Sequence, residues 1–572
     1  MSYNQISREE RQDKSYHLRL SAAEIARNRP IVLHKTNEDE GLPRHLMSFS
    51  KGLPHDYHTG LIKEEADFEK FVEGICTGNP DIIKRTPLGP KPRKFQSEIG
   101  KKINKLRAWE SAGAGLTFDL QGPDSQAVTM PPPPELGSEE LTAEIAEVYC
   151  QAVLRDIPFS ELPHHPKVQT CLAILRELPY FRKRKRNNKS LTVDNLFRGF
   201  TKGDLVGPYI SQFLLAGNNG LNQAGLSPEF RANQGKINYG AITIDQRVRR
   251  ADLQDYMTDW KTYFDVQNGA DLRGQELYIG DERRFITTGR DLATYVHYDA
   301  LYQAYLNACL ILLNAGAAFD EGVPFQVEDE KDKQQGFAQY GGPHILTLVT
   351  EVATRALKAV RYQKFNIHRR LRPEAFAARL HKIDEIQDKI GAVPELQKTF
   401  DELKKTGIFE LLPDEDNQLL PMAFYEGSPM HPSYGAGHAT VAGACITILK
   451  AFFNHDLYVN IAEDGSSIRF TKEKGKYAFV PEASGYSILT VPSKPLTLAG
   501  ELDKLAANIS IGRNWGGVHY YSDYTESLLM GEAIAIGLLE EQAITYNPAE
   551  HFNMTLPKFD GSIINIPKSS FI

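Results

Sequence analysis

The chain has 572 residues, of which 41% are hydrophobic and 24% charged, and its net charge is -7 at neutral pH. That composition suits a globular protein with a large core and argues against a dedicated nucleic-acid binder. No stretch reaches about 18 uncharged apolar residues, so no membrane span is expected, and five cysteines without CxxC spacing exclude a cysteine zinc site.

In chain order, the opening MSYNQISREERQDKSYHLRL lacks the basic-then-apolar pattern of a secretory signal, which leaves the cytoplasm as the default location. Residues 1–190 carry PLGPKPRKF (87–95) and four consecutive prolines (131–134), and read as a region that wraps a core or covers a subunit contact. The basic run at 182–189 reads as a solvated loop, or as a contact for an acidic neighbour. Residues 191–572 read as a helical domain. Apolar positions recur at helical spacing over 291–319 and 345–360. Residues 439–453 are small and apolar nearly all round, which predicts a fully buried helix, and 522–542 predicts another long one. Between these two, 458–494 holds short β-type runs around Gly465, Gly475 and Gly485, a small strand excursion in a mainly α, bundle-based protein.

Three segments combine cationic or imidazole groups with a helix end. In KFNIHRRLRP (364–373), Lys364 follows a helix, and Arg372 precedes a proline that pushes it out of helical geometry. A point charge and a planar fork leaving one helix end can converge on an anion, although both also suit the helix dipole. In HPSYGAGHA (431–439), His431 and His438 flank glycines that let backbone N–H groups approach a ligand, and His438 opens the buried helix. In RNWGGVHYYSD (513–523), Asp523 follows His519 by four, a spacing that lets a carboxylate fix the imidazole tautomer. The set holds one lysine, two arginines, a helix N-terminus and two or three histidines. It contains no carboxylate trio or cysteine cluster for a divalent cation, so its shared target is a tetrahedral oxyanion, phosphate or vanadate.

The order Lys-x7-Arg-Pro, Gly-His at a helix start, then Arg-x5-His-x3-Asp resembles the acid phosphatase and vanadium haloperoxidase superfamily. The segments at 196–217, 295–308 and 336–360 resemble the bromoperoxidases of red algae and cyanobacteria, and the resemblance covers about residues 190–545. It implies two four-helix bundles with the site between them, and a large homo-oligomer, often a dodecamer. It implies vanadate bound by His519, with Lys364, Arg372, Arg513 and the Gly437 N–H on its oxygens and His438 as acid–base residue. Hydrogen peroxide would oxidise bromide or iodide, and the product would halogenate small organic acceptors. His431 stands where chloroperoxidases tend to carry phenylalanine, which tilts the preference toward bromide. Asp299 is expected to pair with a site arginine. The family's serine before Gly-His is Ala436 here, which predicts weaker vanadate binding. The loop FQVEDEKDKQQ (325–335) resembles an algal calcium loop and offers Phe325, Gln326, Glu328, Asp329 and Asp332, or else is a solvated acidic loop. The alternative function is an acid phosphatase with His519 as nucleophile.

Overall fold

A computed structural model of the protein describes residues 6–92, 95–96, 102–103, 105–183, 190–218, 231–326 and 329–567. Helices dominate, and every sheet among the described residues is a two-stranded antiparallel pair.

Two groups of helices meet at the candidate site. The first centres on α1 (Gly437–Phe452), which is buried from Ala439 to Phe452, as an all-apolar surface requires. Around it pack α2 (Gly342–Tyr362), α3 (Leu498–Trp515) and α4 (Tyr521–Ala543). Helices α1 and α4 approach closely because each presents a glycine. A β-carbon on Gly443 would lie 2.0 Å from the Leu528 carbonyl oxygen, and one on Gly531 would lie 2.0 Å from that of Thr440.

The second group centres on α5 (Glu139–Leu154), flanked by α6 (Pro166–Glu177), α7 (Pro373–His381) and α8 (Pro394–Lys405). Helix α5 also touches α3, so one hydrophobic core runs through both groups. Within the stretch read from sequence as wrapping, α5 is core: it buries Leu141, Ile145, Val148 and Tyr149 on several faces at once. By contrast, α9 (Arg8–Asn28) buries none of its residues.

The expected helix over 291–319 is two helices, Gly289–Tyr298 and Gln303–Asn314. Asp299 breaks it by turning extended, which aims its carboxylate at α1. The excursion at 458–494 is a pair of hairpins, Tyr458–Ile461 with Ile468–Thr471 and Tyr477–Pro481 with Ile488–Pro492. Gly465 and Gly485 take the left-handed turn positions at φ +68° and +78°.

Candidate active site

Each expected cationic residue sits where a helix ends. Helix α2 does not stop before Lys364 but widens into a π-type turn, Gln363–His368, closed by Arg369 in a left-handed conformation. Such turns mark functional positions, because the widened ladder re-aims side chains. Here the turn aims Lys364 inward, fully buried. Arg372 is the extended residue before Pro373, which starts α7. Arg513 lies in the last turn of α3, and His519 in the short link to α4. Ala436 is the N-cap of α1, so Gly437 and His438 open that helix with their N–H groups free of i−4 partners.

Lys364, Arg372 and Arg513 are all buried, yet no ion pair reaches them among the described residues. Lys364 Nζ donates to the carbonyls of Pro432 and Ser433 at 2.8 and 3.2 Å. Arg372 donates to the carbonyls of His431 and Val518 at 3.0 and 2.7 Å, and to ring nitrogens of His519 and His431 at 3.0 and 2.9 Å. Arg513 Nη1 donates to the Val296 carbonyl at 2.9 Å, its Nε has no partner, and its guanidinium lies 5.5 Å from the Phe424 ring centre. A buried charge without a counter-ion costs several kcal/mol. Burial and the nearby Arg372 accordingly hold the Lys364 ammonium well below its ordinary range, and burial lowers Arg372 itself to about 10.

The histidines are held just as specifically. His519 Nδ1 lies 2.7 Å from Asp523 Oδ2. The expected same-face helical pair is instead an N-terminal arrangement: His519 precedes α4, and Asp523 at its third position also accepts the Tyr520 N–H at 3.1 Å. Burial and Arg372 keep the His519 ring neutral, well below its ordinary value. Burial and Lys364 do the same to His431, whose Nε2 lies 3.4 Å from Glu110. Asp299, expected beside a site arginine, instead takes His438 Nε2 at 3.0 Å, with Arg513 near enough to feel its charge. His438 opens α1 within reach of Asp299 Oδ1, and Asp299 Oδ2 has no hydrogen-bond partner among the described residues.

Four residues that sequence reasoning missed complete the surroundings. Arg370 bridges Asp523 at 2.7 Å and Glu144 of α5 at 2.9 Å. The Ser433 hydroxyl donates to Asp523, and Glu110 pairs with Arg361 at the edge of the cage. Arg370 and Ser433 stand inside the segments 364–373 and 431–439; Glu144 and Glu110 have no local signature.

The arrangement fits an oxyanion. Three buried cations and a helix N-terminus converge, while the carboxylates Asp523 and Asp299 stand behind histidines. A β-carbon on Gly437 would meet only Leu357, at 3.8 Å, so packing does not demand glycine there, whereas close approach of a ligand to its N–H would.

The calcium candidates fall apart from this cage. Glu328 lies outside the described residues, Asp329–Asp332 forms a helical turn, and Phe325 takes a left-handed conformation at φ +60°. The Gln326 amide donates to the carbonyls of Pro324 and Tyr340 at 2.7 and 3.1 Å.

Residues 410–545 match the family model described as the VCPO second helical-bundle domain. The vanadium-dependent bromoperoxidase of Corallina pilulifera is 46% identical over 609 residues, covering 96% of this chain and 98% of that one. That of Ascophyllum nodosum is 30% identical over 569 residues, covering 97% and 92%. The homohexameric structure of the second vanadate-dependent bromoperoxidase from Ascophyllum nodosum superimposes with a TM-score of 0.79 at 25% identity, over 99% of this chain and 92% of that one.

Proposed function

The chain belongs to the vanadium-dependent bromoperoxidases, and we propose from that premise which of its residues do the work. The observation that carries the reading is the trio of buried cations, Lys364, Arg372 and Arg513, which among the described residues have no counter-ion and surround His519, whose Nε2 meets Arg372. Asp523 holds the proton of His519 on Nδ1, so the Nε2 lone pair faces the cage as a metal ligand. Lys364, Arg372, Arg513 and the Gly437 N–H hold the oxyanion's oxygens and stabilise the charge that builds there during turnover. Asp299 anchors His438 through Nε2, leaving Nδ1 to take and return a proton. His431, kept neutral, stands beside Arg372 as the residue that shapes halide access. Bound vanadate supplies Lewis-acid activation of hydrogen peroxide toward bromide or iodide without a change in oxidation state. Halogenation of small organic acceptors follows. A phosphatase using the same cage is not favoured, because the likeness to bromoperoxidases spans nearly the whole chain.

The test is bromination of a dye by stripped protein titrated with orthovanadate in phosphate-free buffer, with peroxide and bromide present. Activity that appears only with vanadate supports the assignment. No activity at any vanadate concentration refutes it.

Two finer readings belong with this one. The exposed helix α9 carries Tyr16, Leu18 and Leu20 on its surface, which suits a subunit contact in a homo-oligomer, a dodecamer by resemblance. Light scattering of the full chain distinguishes that from the hexamer of the Ascophyllum neighbour. The 325–335 loop takes calcium through Phe325, Gln326, Glu328, Asp329 and Asp332. Calcium retained after desalting, and lost in Asp332→Asn, tests this.

A further inference from the structure

Behind Arg513 lies a polar cluster that halide oxidation does not use. Glu276, His297 and Glu426 come from three separate stretches of chain, and one ligand atom from each lies within 4.8 Å of the other two. His297 Nε2 is 3.3 Å from Glu426 Oε1 and 3.7 Å from Glu276 Oε1. The two carboxylate side chains are only 4% and 6% exposed, and among the described residues Glu426 Oε2 and Glu276 Oε1 have no hydrogen-bond partner of good geometry. Buried carboxylates brought this close together are costly without a cation. Lys51 and Arg107 feel the Glu426 charge but donate their hydrogen bonds to its backbone carbonyl, at 3.1 and 3.3 Å.

We propose that Glu276, His297 and Glu426 bind a divalent cation of the borderline class that accepts imidazole and carboxylate together, with zinc as its representative. The donor set is that of a zinc site with three protein ligands, and a small closure brings all three atoms to the roughly 2.0–2.2 Å such an ion requires. The surroundings support the ligands. The Tyr298 hydroxyl donates to Glu276 Oε2 at 3.1 Å, and the His297 ring stacks on Phe424 with centroids 4.0 Å apart and planes 12° apart. A cavity of about 520 Å³ reaches Glu276 and is also lined by Tyr278, Tyr298 and Asp299, with Arg247, Arg249 and Arg283 on its wall. The cluster attracts cations whereas the vanadate cage attracts anions, so the two sites do not compete. Phe424 lies between them, against His297 on one side and Arg513 on the other. The ion would therefore fix the segment that runs from Phe424 through Glu426 to His431.

The experiment uses the full-length protein, chelated, dialysed against zinc and desalted, with zinc and vanadium measured separately. Wild type should keep one zinc per subunit more than the Glu276→Gln/Glu426→Gln double variant. Crystals of the wild type soaked in zinc should give an anomalous peak at the zinc edge between the three side chains. Equal zinc in wild type and folded double variant overturns the proposal. So does the absence of that peak at saturating zinc, a result that needs no variant and leaves the bromoperoxidase assignment untouched.

Discussion

His519 is held between Asp523, 2.7 Å from its Nδ1, and Arg372, whose Nη1 lies 3.0 Å from its Nε2. Against the opposing effect of burial, Arg370 and the hydrogen bond to His519 keep the Asp523 carboxyl far below its ordinary range, so it stays an acceptor and the ring proton stays on Nδ1. Asp523→Asn turns that acceptor into a group that can also donate, and it frees the ring to put its proton on Nε2. Vanadate affinity should fall roughly 10- to 100-fold. Stability should also fall by about 1–3 kcal/mol, because Arg370 loses one of its two buried carboxylates and keeps Glu144. Calorimetric vanadate binding and urea unfolding measure both. Unchanged affinity in a folded variant would refute the tautomer argument.

Ala436 is doubly consequential, since it is the N-cap of α1 as well as the position where the family pattern has serine. Ala436→Ser adds a hydroxyl that can cap the helix, worth about 0.5–2 kcal/mol. The same hydroxyl can bond the anion, worth about 1.5–3 kcal/mol, or roughly 10- to 150-fold in affinity. Melting temperature without vanadate reads the first effect and the vanadate Kd reads the second. If neither moves, the missing hydroxyl at Ala436 costs neither helix stability nor vanadate affinity.

Lys364 is buried against carbonyls and near Arg372, so in the ligand-free protein it is a liability. Lys364→Met should raise stability without vanadate by about 1–4 kcal/mol and abolish vanadate-dependent bromination. Paired denaturation and activity assays decide it. A less stable variant would mean that the ammonium is better compensated than its contacts imply.

Acid should weaken the fold in a defined window. Burial lowers His55 and His368 to about 3, against about 6.5 in an unfolded chain. Between those values the unfolded chain binds protons that the folded chain refuses, so stability falls as pH drops below about 6.5, by about 1.4 kcal/mol per unit for each histidine. His431 and His519 steepen the loss through their own depressed values. An anion in the cage offsets the charges of Lys364 and Arg372 that help depress His431, whereas ligation keeps His519 unprotonated, so vanadate should flatten the slope only through His431. Unfolding free energies at several pH values, with and without vanadate, provide the check. A flat profile from pH 7.5 to 5 would contradict it.

The cage was legible in the sequence where chemistry and helix punctuation coincide. Arg372 before Pro373, His438 after Gly437 and His519 four before Asp523 each carry their role in a local pattern. Asp299 was placed beside a site arginine, and its charge does reach Arg513, but its hydrogen bond to His438 depends on where a helix breaks. Glu144 was out of reach: its contact with Arg370 spans 226 residues, and its own helix lay in a stretch whose prolines suggested wrapping. Local pattern identifies groups that face a ligand; the groups that brace them are set by packing between distant segments.

That brace has a consequence for the chain's history and its engineering. Glu144 of α5 holds both Arg370 and the Ser522 N–H, so the start of α4 and the support of His519 rest on a helix from the N-terminal third. A fragment beginning at residue 191 would carry every ligand of the cage and lack the strut that aligns them. The smallest working unit is therefore larger than the set of catalytic motifs, and any shortening of this enzyme has to stop before α5.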